Sequence, residues 1–238
     1  MIAYDLIGQT PLVLLESFSD ENVKIYAKLE QFNPGGSIKD RLGKYLIEKA
    51  IDEGRLKEGD TIVEATAGNT GIGLAIASNR HKVKCIIFAP EGFAEEKISI
   101  MKALGADVRR TPKAEGMTGA QQEALAYATR YGYLYMNQFE TKDNPGAYTQ
   151  TLAKQLTDEL SHIDYFVAGV GSGGTFTGVA QHLKTYDVKN YIVEPEGSVL
   201  NGGVSHPHAT EGIGSEKWPS FLDCLLYTSD AADDLLCV

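Results

Sequence analysis

The sequence has little cysteine, no long apolar run and fewer bases than acids, and each shortage argues against a class of protein. Its three cysteines, Cys85, Cys224 and Cys237, show neither metal-ligand spacing nor a disulfide framework. The longest apolar runs, such as residues 85–89, fall far short of the ~20 residues that span a bilayer. The first residues lack the charged and apolar regions of a signal peptide. We therefore expect a cytoplasmic protein with no membrane partner.

The acidic charge balance argues against a nucleic-acid partner. The chain has 22 Lys and Arg against 32 Asp and Glu, a net charge of −10, and no local basic cluster interrupts this excess. Of the five histidines only His206 and His208 lie close together, and no cysteine or carboxylate is spaced to complete a zinc site around them. We predict no metal site. At 238 residues the chain has room for one or two domains of ~100–200 residues.

Short β-like runs alternate with helical patterns along the chain. Strands are predicted at residues 23–29, 61–65, 83–89, 107–110, 133–136, 164–168 and 189–193. Helices are predicted at residues 39–53, 71–79, 95–104, 118–130, 147–160 and 175–184. Such alternation predicts parallel βαβ units, hence an α/β fold with helices on both sheet faces.

Lys39 lies in the Asn-Pro-Gly-Gly-Ser-Ile-Lys-Asp-Arg segment of residues 33–41, a turn that delivers it to the first turn of a predicted helix. A helix N-terminus is partially positive and disfavours an ammonium. A lysine kept there suits a neutral amine, which can attack a carbonyl to form a Schiff base. From this segment alone, an ordinary surface lysine is the better-supported interpretation.

The loop at residues 64–71 joins a predicted strand to a predicted helix and carries the donors Thr66, Asn69 and Thr70 among small residues. Glycines let the backbone approach a ligand, and the free N–H groups at a helix start bind anions. An ordinary βα turn with Asn or Thr as N-cap is the alternative. Three polar side chains exceed what a cap requires, so we favour a binding site.

A second loop, residues 169–175, has the sequence Gly-Val-Gly-Ser-Gly-Gly-Thr after another predicted strand. It is built to hold a phosphate with backbone N–H groups. A flexible βα connection is the alternative, but four glycines in six residues are a costly way to make one. Gly169, Gly171 and Gly174 also satisfy G-x-G-x-x-G, and Glu194 follows twenty residues after Gly174. That spacing is typical of a dinucleotide fingerprint. A nicotinamide-dependent oxidoreductase therefore stays open, although it leaves Lys39 without a role.

Together the segments at residues 33–41, 66–71 and 171–175 resemble the cysteine synthase and cystathionine β-synthase family. The resemblance extends from residues 6–12 to residues 211–214. It implies a pyridoxal-phosphate enzyme of fold type II, the tryptophan-synthase β-like fold, with two three-layer α/β domains and mainly parallel sheets. The smaller domain would be residues 40–145 and the larger one residues 1–39 plus 146–223. We further expect a homodimer.

The resemblance also assigns roles to residues. Lys39 would bind pyridoxal 5'-phosphate covalently and later remove the substrate α-proton, while Asn69 would contact the ring's 3′ oxygen. The phosphate would be held by Gly171, Ser172, Gly173, Gly174 and Thr175. The substrate carboxylate would be bound by Thr66, Ala67, Gly68, Asn69 and Thr70 with Gln138, and Gly212 to Gly214 would line the cofactor's open side. The reaction would be β-replacement on O-acetylserine or serine by sulfide or homocysteine, giving cysteine or cystathionine in cysteine biosynthesis or transsulfuration.

Two departures from the family pattern modify this expectation. Cysteine synthases commonly carry serine in place of Ala67 and proline in place of Ala65, so this loop has one hydroxyl fewer and a little more room. The change resembles members that use homocysteine. The family's later serine loop, which meets the pyridine nitrogen, is not found after Gly214, because Ser215 and Ser220 have the wrong context.

The last residues form a further departure. Residues 224–238 resemble translated sequencing-adaptor DNA more than protein, so we expect a non-native tail on a chain truncated at its C-terminus. Such a truncated chain would also lack the closing strands and helices of the larger domain. A non-catalytic binding protein that keeps the fold therefore stays open.

Overall fold

The computed structural model describes residues 2–93, 95–215 and 217–223, and within them the chain forms eight strands and seven α-helices. The strands are β1 Leu12–Leu14, β2 Tyr26–Lys28, β3 Thr61–Ala65, β4 Lys84–Pro90, β5 Asp107–Thr111, β6 Leu134–Tyr135, β7 Tyr165–Gly169 and β8 Lys189–Val193. The helices are α1 Lys39–Asp52, α2 Asn69–Arg80, α3 Glu95–Ala103, α4 Gly116–Tyr131, α5 Asp143–Thr149, α6 Leu152–Glu159 and α7 Gly174–Leu183. The chain divides into two compact units, the first ending at Met136 and the second beginning at Asn137.

A parallel four-stranded sheet, in the order β5-β4-β3-β6, organises the first unit. On one face, Val63 and Phe88 pack against small residues of α4 such as Ala124. Ile62 and Ile87 point to the opposite face and are fully buried as well, with α2 packed against β4 on that side. Parallel strands covered on both faces read as continuous apolar runs, which is why the sequence predicted them well. The predicted α/β fold with parallel βαβ units is confirmed.

The first two strands depart from the parallel pattern. β1 and β2 pair antiparallel, with Leu12 opposite Lys28 and Leu14 opposite Tyr26. The strand predicted at residues 23–29 is shorter than expected, and its partner β1 was not predicted. Three residues are too few to show a period of two, so the sequence carries no clear signal for such a strand.

The second unit contains a parallel pair, β7 and β8, with α7 between them in the chain. Its core includes Val170, Phe176 and Leu200. The single helix predicted at residues 147–160 is wrong, because α5 and α6 are separate there. Thr151, with φ −122° and ψ −78°, breaks the helical path, and its hydroxyl donates to the Ala147 carbonyl at 2.6 Å. Threonine side chains that bond to the backbone compete with helix formation in this way.

The predicted interrupted domain, residues 40–145 within residues 1–39 plus 146–223, stays a prediction. The tail at residues 224–238 lies outside the described residues. Within the part of the chain that the structure describes, no helix is both long enough and apolar enough to cross a membrane.

Candidate active site

The Asn-Pro-Gly-Gly turn places Lys39 at the first residue of α1. Asn33 is buried and accepts a hydrogen bond at Oδ1 from the Gly8 amide at 2.7 Å, which ties the turn to the N-terminal segment. Its carbonyl accepts from the Gly36 amide at 2.8 Å. Gly36 has φ +78°, a left-handed conformation that favours glycine. The half-buried Lys39 then donates its backbone N–H to Ser37 Oγ at 3.2 Å.

Arg41 anchors the turn from below through a buried ion pair. Its Nε and Nη2 atoms donate to the two carboxylate oxygens of Glu30 at 2.7 and 2.9 Å, a bidentate geometry. Nη2 also donates to the Gly8 carbonyl and to Thr10 Oγ1. Burial acts to raise the pKa of Glu30, but the bonds and charge of Arg41, with bonds from Thr10 and Asn33, outweigh it and hold that pKa below its usual value.

Asp40, which follows Lys39, is a fully buried carboxylate. Its Oδ2 accepts a hydrogen bond from the Gly35 amide. A side chain at position 35 would overlap this carboxylate, so the first glycine of the turn has a steric reason. Burial raises the pKa of Asp40 to about 6, with a further contribution from the charge of Glu30 and an opposing one from the Gly35 amide. The segment around Lys39 therefore contains a carboxyl group that titrates near neutral pH.

Two glycines bring α1 and α2 into close contact. A Cβ on Gly43 would overlap the carbonyl of Gly73, and a Cβ on Gly73 would overlap the carbonyl of Lys39. With no side chain at either position, the two helix backbones touch directly. Gly73 lies four residues after Asn69, about one helical turn. The start of α1, with Lys39, is therefore placed beside the first turn of α2.

The loop between β3 and α2 sits at the carboxyl end of the sheet. The Thr66 amide donates to the Phe88 carbonyl at 2.9 Å, and Thr66 Oγ1 accepts from the Gly68 amide at 3.1 Å. Thr66, Ala67 and Thr70 are buried, while Gly68 and Asn69 are partly exposed. The first unit thus contains both Lys39 and residues 66–70, and it brings the Lys39 carbonyl against Gly73 of the helix that follows this loop.

Ala65, the other departure from the family pattern, lies elsewhere. It belongs to the buried cluster between β3 and α4, together with Val63 and Ala120. Its side chain packs in the core beside the sheet. Ala67, by contrast, is buried within the loop itself. Of the two substitutions, only Ala67 changes the chemistry of the carboxylate loop.

In the second unit, residues 171–175 cover the end of the turn between β7 and α7 and the first two residues of α7. Gly173 has φ +85°, so glycine is favoured there, and α7 begins at Gly174. The first N–H groups of a helix have no intrahelical acceptor and face an anion readily. Thr175 lies in this first turn, and Ser172 is buried just before it. The turn has the geometry of a phosphate loop, and we use that name for residues 171–175.

The segment at residues 212–215 lies against the start of the phosphate loop. The Gly214 amide donates to the Val170 carbonyl at 2.7 Å, and Ser215 Oγ donates to the Gly171 carbonyl at 2.7 Å. A Cβ on Gly171 would come within 2.7 Å of the Gly212 carbonyl oxygen. Ser220 in turn donates from its Oγ to the Phe139 carbonyl at 3.0 Å. Both serine hydroxyls near the end of the described chain are thus bonded to backbone.

Gln138 is linked to the phosphate loop by Asn144, a residue that the sequence analysis did not identify. Gln138 is buried, and its carbonyl accepts a hydrogen bond from Nδ2 of the fully buried Asn144 at 2.6 Å. The same Nδ2 lies 3.3 Å from Ser172 Oγ. A sequence signal existed, since Asn144-Pro145 stands in the first turn of α5, where proline marks a helix start.

Glu194 has a structural bond in this unit. Its carboxylate accepts from the Leu200 amide at 3.0 Å and so fixes the segment after β8. Gly169, the first glycine of the G-x-G-x-x-G pattern, ends β7 with no room for a side chain because of Ile213.

Residues 3–234 match the family described as "Pyridoxal-phosphate dependent enzyme". The chain belongs to this family. The match confirms the predicted cofactor, pyridoxal phosphate, and with it the fold-type-II architecture and enzymatic character. It favours the pyridoxal-phosphate interpretation of the two glycine loops over the nicotinamide-dependent alternative.

Similar proteins narrow the chemistry. The enzyme is 51% identical over 224 residues to the O-acetylserine dependent cystathionine beta-synthase of Bacillus subtilis (strain 168), covering 92% of this chain and 73% of that protein. It is 48% identical over 232 residues to a Helicobacter pylori (strain ATCC 700392 / 26695) cysteine synthase, covering 93% and 74%. The crystal structure of an O-acetylserine dependent cystathionine beta-synthase from Helicobacter pylori matches with a TM-score of 0.89 and 45% identity, covering 96% of this chain and 78% of that one.

The residues present fit the cofactor. The phosphate loop offers a helix start in which a side chain at position 174 would overlap Asn144, so only backbone faces the anion there. The start of α1 offers Lys39, the residue type that binds an aldehyde covalently. The loop after β3 adds backbone and hydroxyl donors for a second anionic group. These three features match a phosphate, an aldehyde and a carboxylate.

Proposed function

We propose that the enzyme carries out β-replacement on an activated serine, such as O-acetylserine, with sulfide or homocysteine as the thiol. The observation that carries this proposal is the direct backbone contact of α1 with α2, in which Gly73 meets the Lys39 carbonyl about one helical turn after Asn69. A lysine beside an anion-binding loop suits removal of a proton from the α-carbon of an amino acid whose carboxylate the loop holds. The names of the two relatives support this reaction class.

Each group of residues has a distinct task in this proposal. Lys39 Nζ holds the cofactor covalently and, once released, takes the proton from the substrate α-carbon. Residues 171–175 bind the cofactor phosphate with backbone N–H groups, and Asn69 contacts the ring's 3′ oxygen. Residues 66–70 and Gln138 orient the substrate carboxylate, and residues 212–214 line the open side. Bound pyridoxal phosphate would supply an electron sink for the charge that develops at the α-carbon.

The acceptor thiol is proposed from the composition of the carboxylate loop. Ala67 is buried in that loop, and its methyl group neither donates nor accepts a hydrogen bond. A loop with one hydroxyl fewer and more room favours the larger thiol, homocysteine, and therefore cystathionine as product. The B. subtilis relative, whose name specifies cystathionine beta-synthase, supports the same choice. Cytoplasmic location and a homodimer belong to the proposal as well.

The function is tested by following where the cofactor binds. The purified chain is mixed with pyridoxal phosphate, and its visible absorption is recorded before borohydride reduction and peptide mass spectrometry. We expect reduction to fix the cofactor on Lys39, and Lys39→Ala to lose both signals. Lys49→Ala is the matched control, because Lys49 lies on the same helix in an exposed ion pair with Glu53.

Product analysis completes this test. O-acetylserine is supplied with equal amounts of sulfide and homocysteine, and we expect more cystathionine than cysteine. Cofactor fixed on another lysine, or uptake of a nicotinamide nucleotide instead, would contradict the proposed reaction. A preference for sulfide would contradict only the choice of thiol.

A further inference from the structure

Asn144 is a fully buried polar side chain that the proposed function does not use. Its Nδ2 atom lies 2.6 Å from the carbonyl oxygen of Gln138 and 3.3 Å from Oγ of Ser172. Ser172 belongs to the phosphate loop, and Gln138 has the proposed carboxylate-binding role. One side-chain amide therefore contacts two segments of the second unit that carry proposed binding roles.

The Gln138 carbonyl determines which way this amide points. A carbonyl oxygen only accepts hydrogen bonds, so the nitrogen of the Asn144 amide must face it. Oδ1 then points to Gly174, where any side chain would overlap it. Among the residues that the structure describes, Oδ1 has no hydrogen-bond partner. An unpaired buried oxygen destabilises this orientation. The hydrogen bonds that the nitrogen makes must therefore outweigh that cost.

The same orientation determines the role of the Ser172 hydroxyl. An amide nitrogen carries two hydrogens, and with one directed to the Gln138 carbonyl the other faces Ser172 Oγ. An oxygen that accepts from this N–H keeps its own hydrogen for a different acceptor. Ser172 stands two residues before the first residue of α7, where an anion is favoured.

We propose that Asn144 is a positioning residue that holds Ser172 Oγ as an acceptor and so directs the Ser172 hydroxyl hydrogen toward the cofactor phosphate. This inference rests on the proposed function, since it needs a phosphate at residues 171–175. It adds one side-chain donor, set by a residue outside the loop, to the backbone N–H groups. Asn144 itself touches neither the phosphate nor the substrate in this proposal.

The test compares two ligands that differ only by the phosphate. Affinities for pyridoxal phosphate and for pyridoxal are measured by absorbance titration of the wild type, Asn144→Ala, Ser172→Ala and the double variant. A hydrogen bond to a charged group is lost in each variant, so we expect about tenfold weaker binding of pyridoxal phosphate and little change for pyridoxal. The double variant should lose no more than either single one, because both remove the same bond. Asn201→Ala is the matched control, since Asn201 is exposed in the same unit.

Several outcomes would overturn the inference. Equal losses for both ligands would mean general disruption, and additive losses would mean that the two residues act independently. Ser172→Ala with unchanged affinity for pyridoxal phosphate would overturn it even if the Asn144 variant failed to fold. Titration with inorganic phosphate, followed by ³¹P NMR, measures phosphate binding without the covalent bond to Lys39. Lys39→Ala should leave phosphate binding unchanged, whereas Asn144→Ala and Ser172→Ala should weaken it.

Discussion

At the scale of single residues, the surroundings of Lys39 are set by buried charge. Arg41 and Glu30 form a bidentate pair just behind the turn, and Asp40 is enclosed beside it. A buried pair of this kind fixes a conformation more than it adds stability, because both charges lose their hydration. Breaking it by removing one partner leaves the other charge buried and unpaired. The turn that presents Lys39 is thus held by contacts that its own sequence pattern does not reveal.

Asp40 should make the free energy of unfolding depend on pH in a defined direction. Its pKa is raised by burial from 3.8 to about 6, so between pH about 4 and about 6 the folded protein binds more protons than the unfolded chain. Stability from this group is therefore present at low pH and is lost as pH rises through about 6. At ~1.4 kcal/mol for each unit of pKa shift, the loss should be on the order of 2 to 3 kcal/mol.

Urea unfolding of the wild type and Asp40→Asn from pH 4 to 7 measures this effect. The stability of the wild type relative to the variant should fall as pH rises through the window and then level off. Asp20→Asn is a control of opposite sign, because the Val23 and Asn22 amides lower the pKa of the exposed Asp20. A difference between wild type and Asp40→Asn that is constant with pH would contradict the prediction.

At the scale of elements, the contact of α1 with α2 depends on the absence of side chains. Gly43 and Gly73 face each other at backbone distance, and Gly73 also meets the Lys39 carbonyl. Glycine inside a helix is costly relative to alanine, so its presence in both helices indicates a packing requirement. Strand β4 has a simpler origin, because burial on both faces demands apolar residues and its residues 85–90 are all buried and apolar.

Gly43→Ala should destabilise the protein although alanine is the better helix former. Its methyl group would overlap the backbone of Gly73, which cannot rotate away as a side chain could. Overpacking typically costs about 1 to 3 kcal/mol, which exceeds the ~1 kcal/mol gained in helix propensity. Urea unfolding measures the difference, with Lys49→Ala in the same helix expected to change stability by a few tenths of a kcal/mol. Equal or higher stability of Gly43→Ala would show that the helices can separate freely.

At the scale of the whole molecule, the chain combines a family fold with an acidic composition, at a net charge of −10, and two compact units. Its parallel sheets, β5-β4-β3-β6 and β7-β8, each end in a loop that leads into a helix start. Ligands of open α/β sheets bind at the carboxyl ends of strands. Both candidate loops follow this rule, since residues 66–68 follow β3 and residues 170–173 follow β7.

Cofactor binding should raise the melting temperature of the enzyme. A ligand that binds only the folded state at 100 times its Kd adds about 2.7 kcal/mol of stability, which corresponds to a rise of roughly 5 to 10 °C for a chain of this size. Differential scanning calorimetry with and without pyridoxal phosphate measures the shift. Lys39→Ala should show a smaller rise, because it keeps the phosphate loop and loses the covalent bond. An equal shift with the same concentration of inorganic phosphate would mean that the aldehyde contributes nothing.

The sequence by itself determined the fold class and much of the element order. The strands at residues 61–65 and 189–193 match their predictions residue for residue. The first is fully buried and begins with three β-branched residues, and the second carries the strand-forming residues Tyr191, Ile192 and Val193. Lys39 as the first residue of a helix was also predictable, since the Pro-Gly-Gly turn stops one element and permits the next. The resemblance supplied the candidate site residues, which no local pattern could have assigned to one reaction.

Tertiary structure alone decided what surrounds those residues. Asn144 is separated from Ser172 by 28 residues, and Arg41 from Gly8 by 33, so neither pair leaves a periodic trace. The break between α5 and α6 depends on a hydroxyl that bonds to the backbone, which propensity does not register. The sequence gives the identity of each side chain and the local spacing of apolar residues. Burial, pKa and the direction of each hydrogen bond depend on which distant segments fold against them.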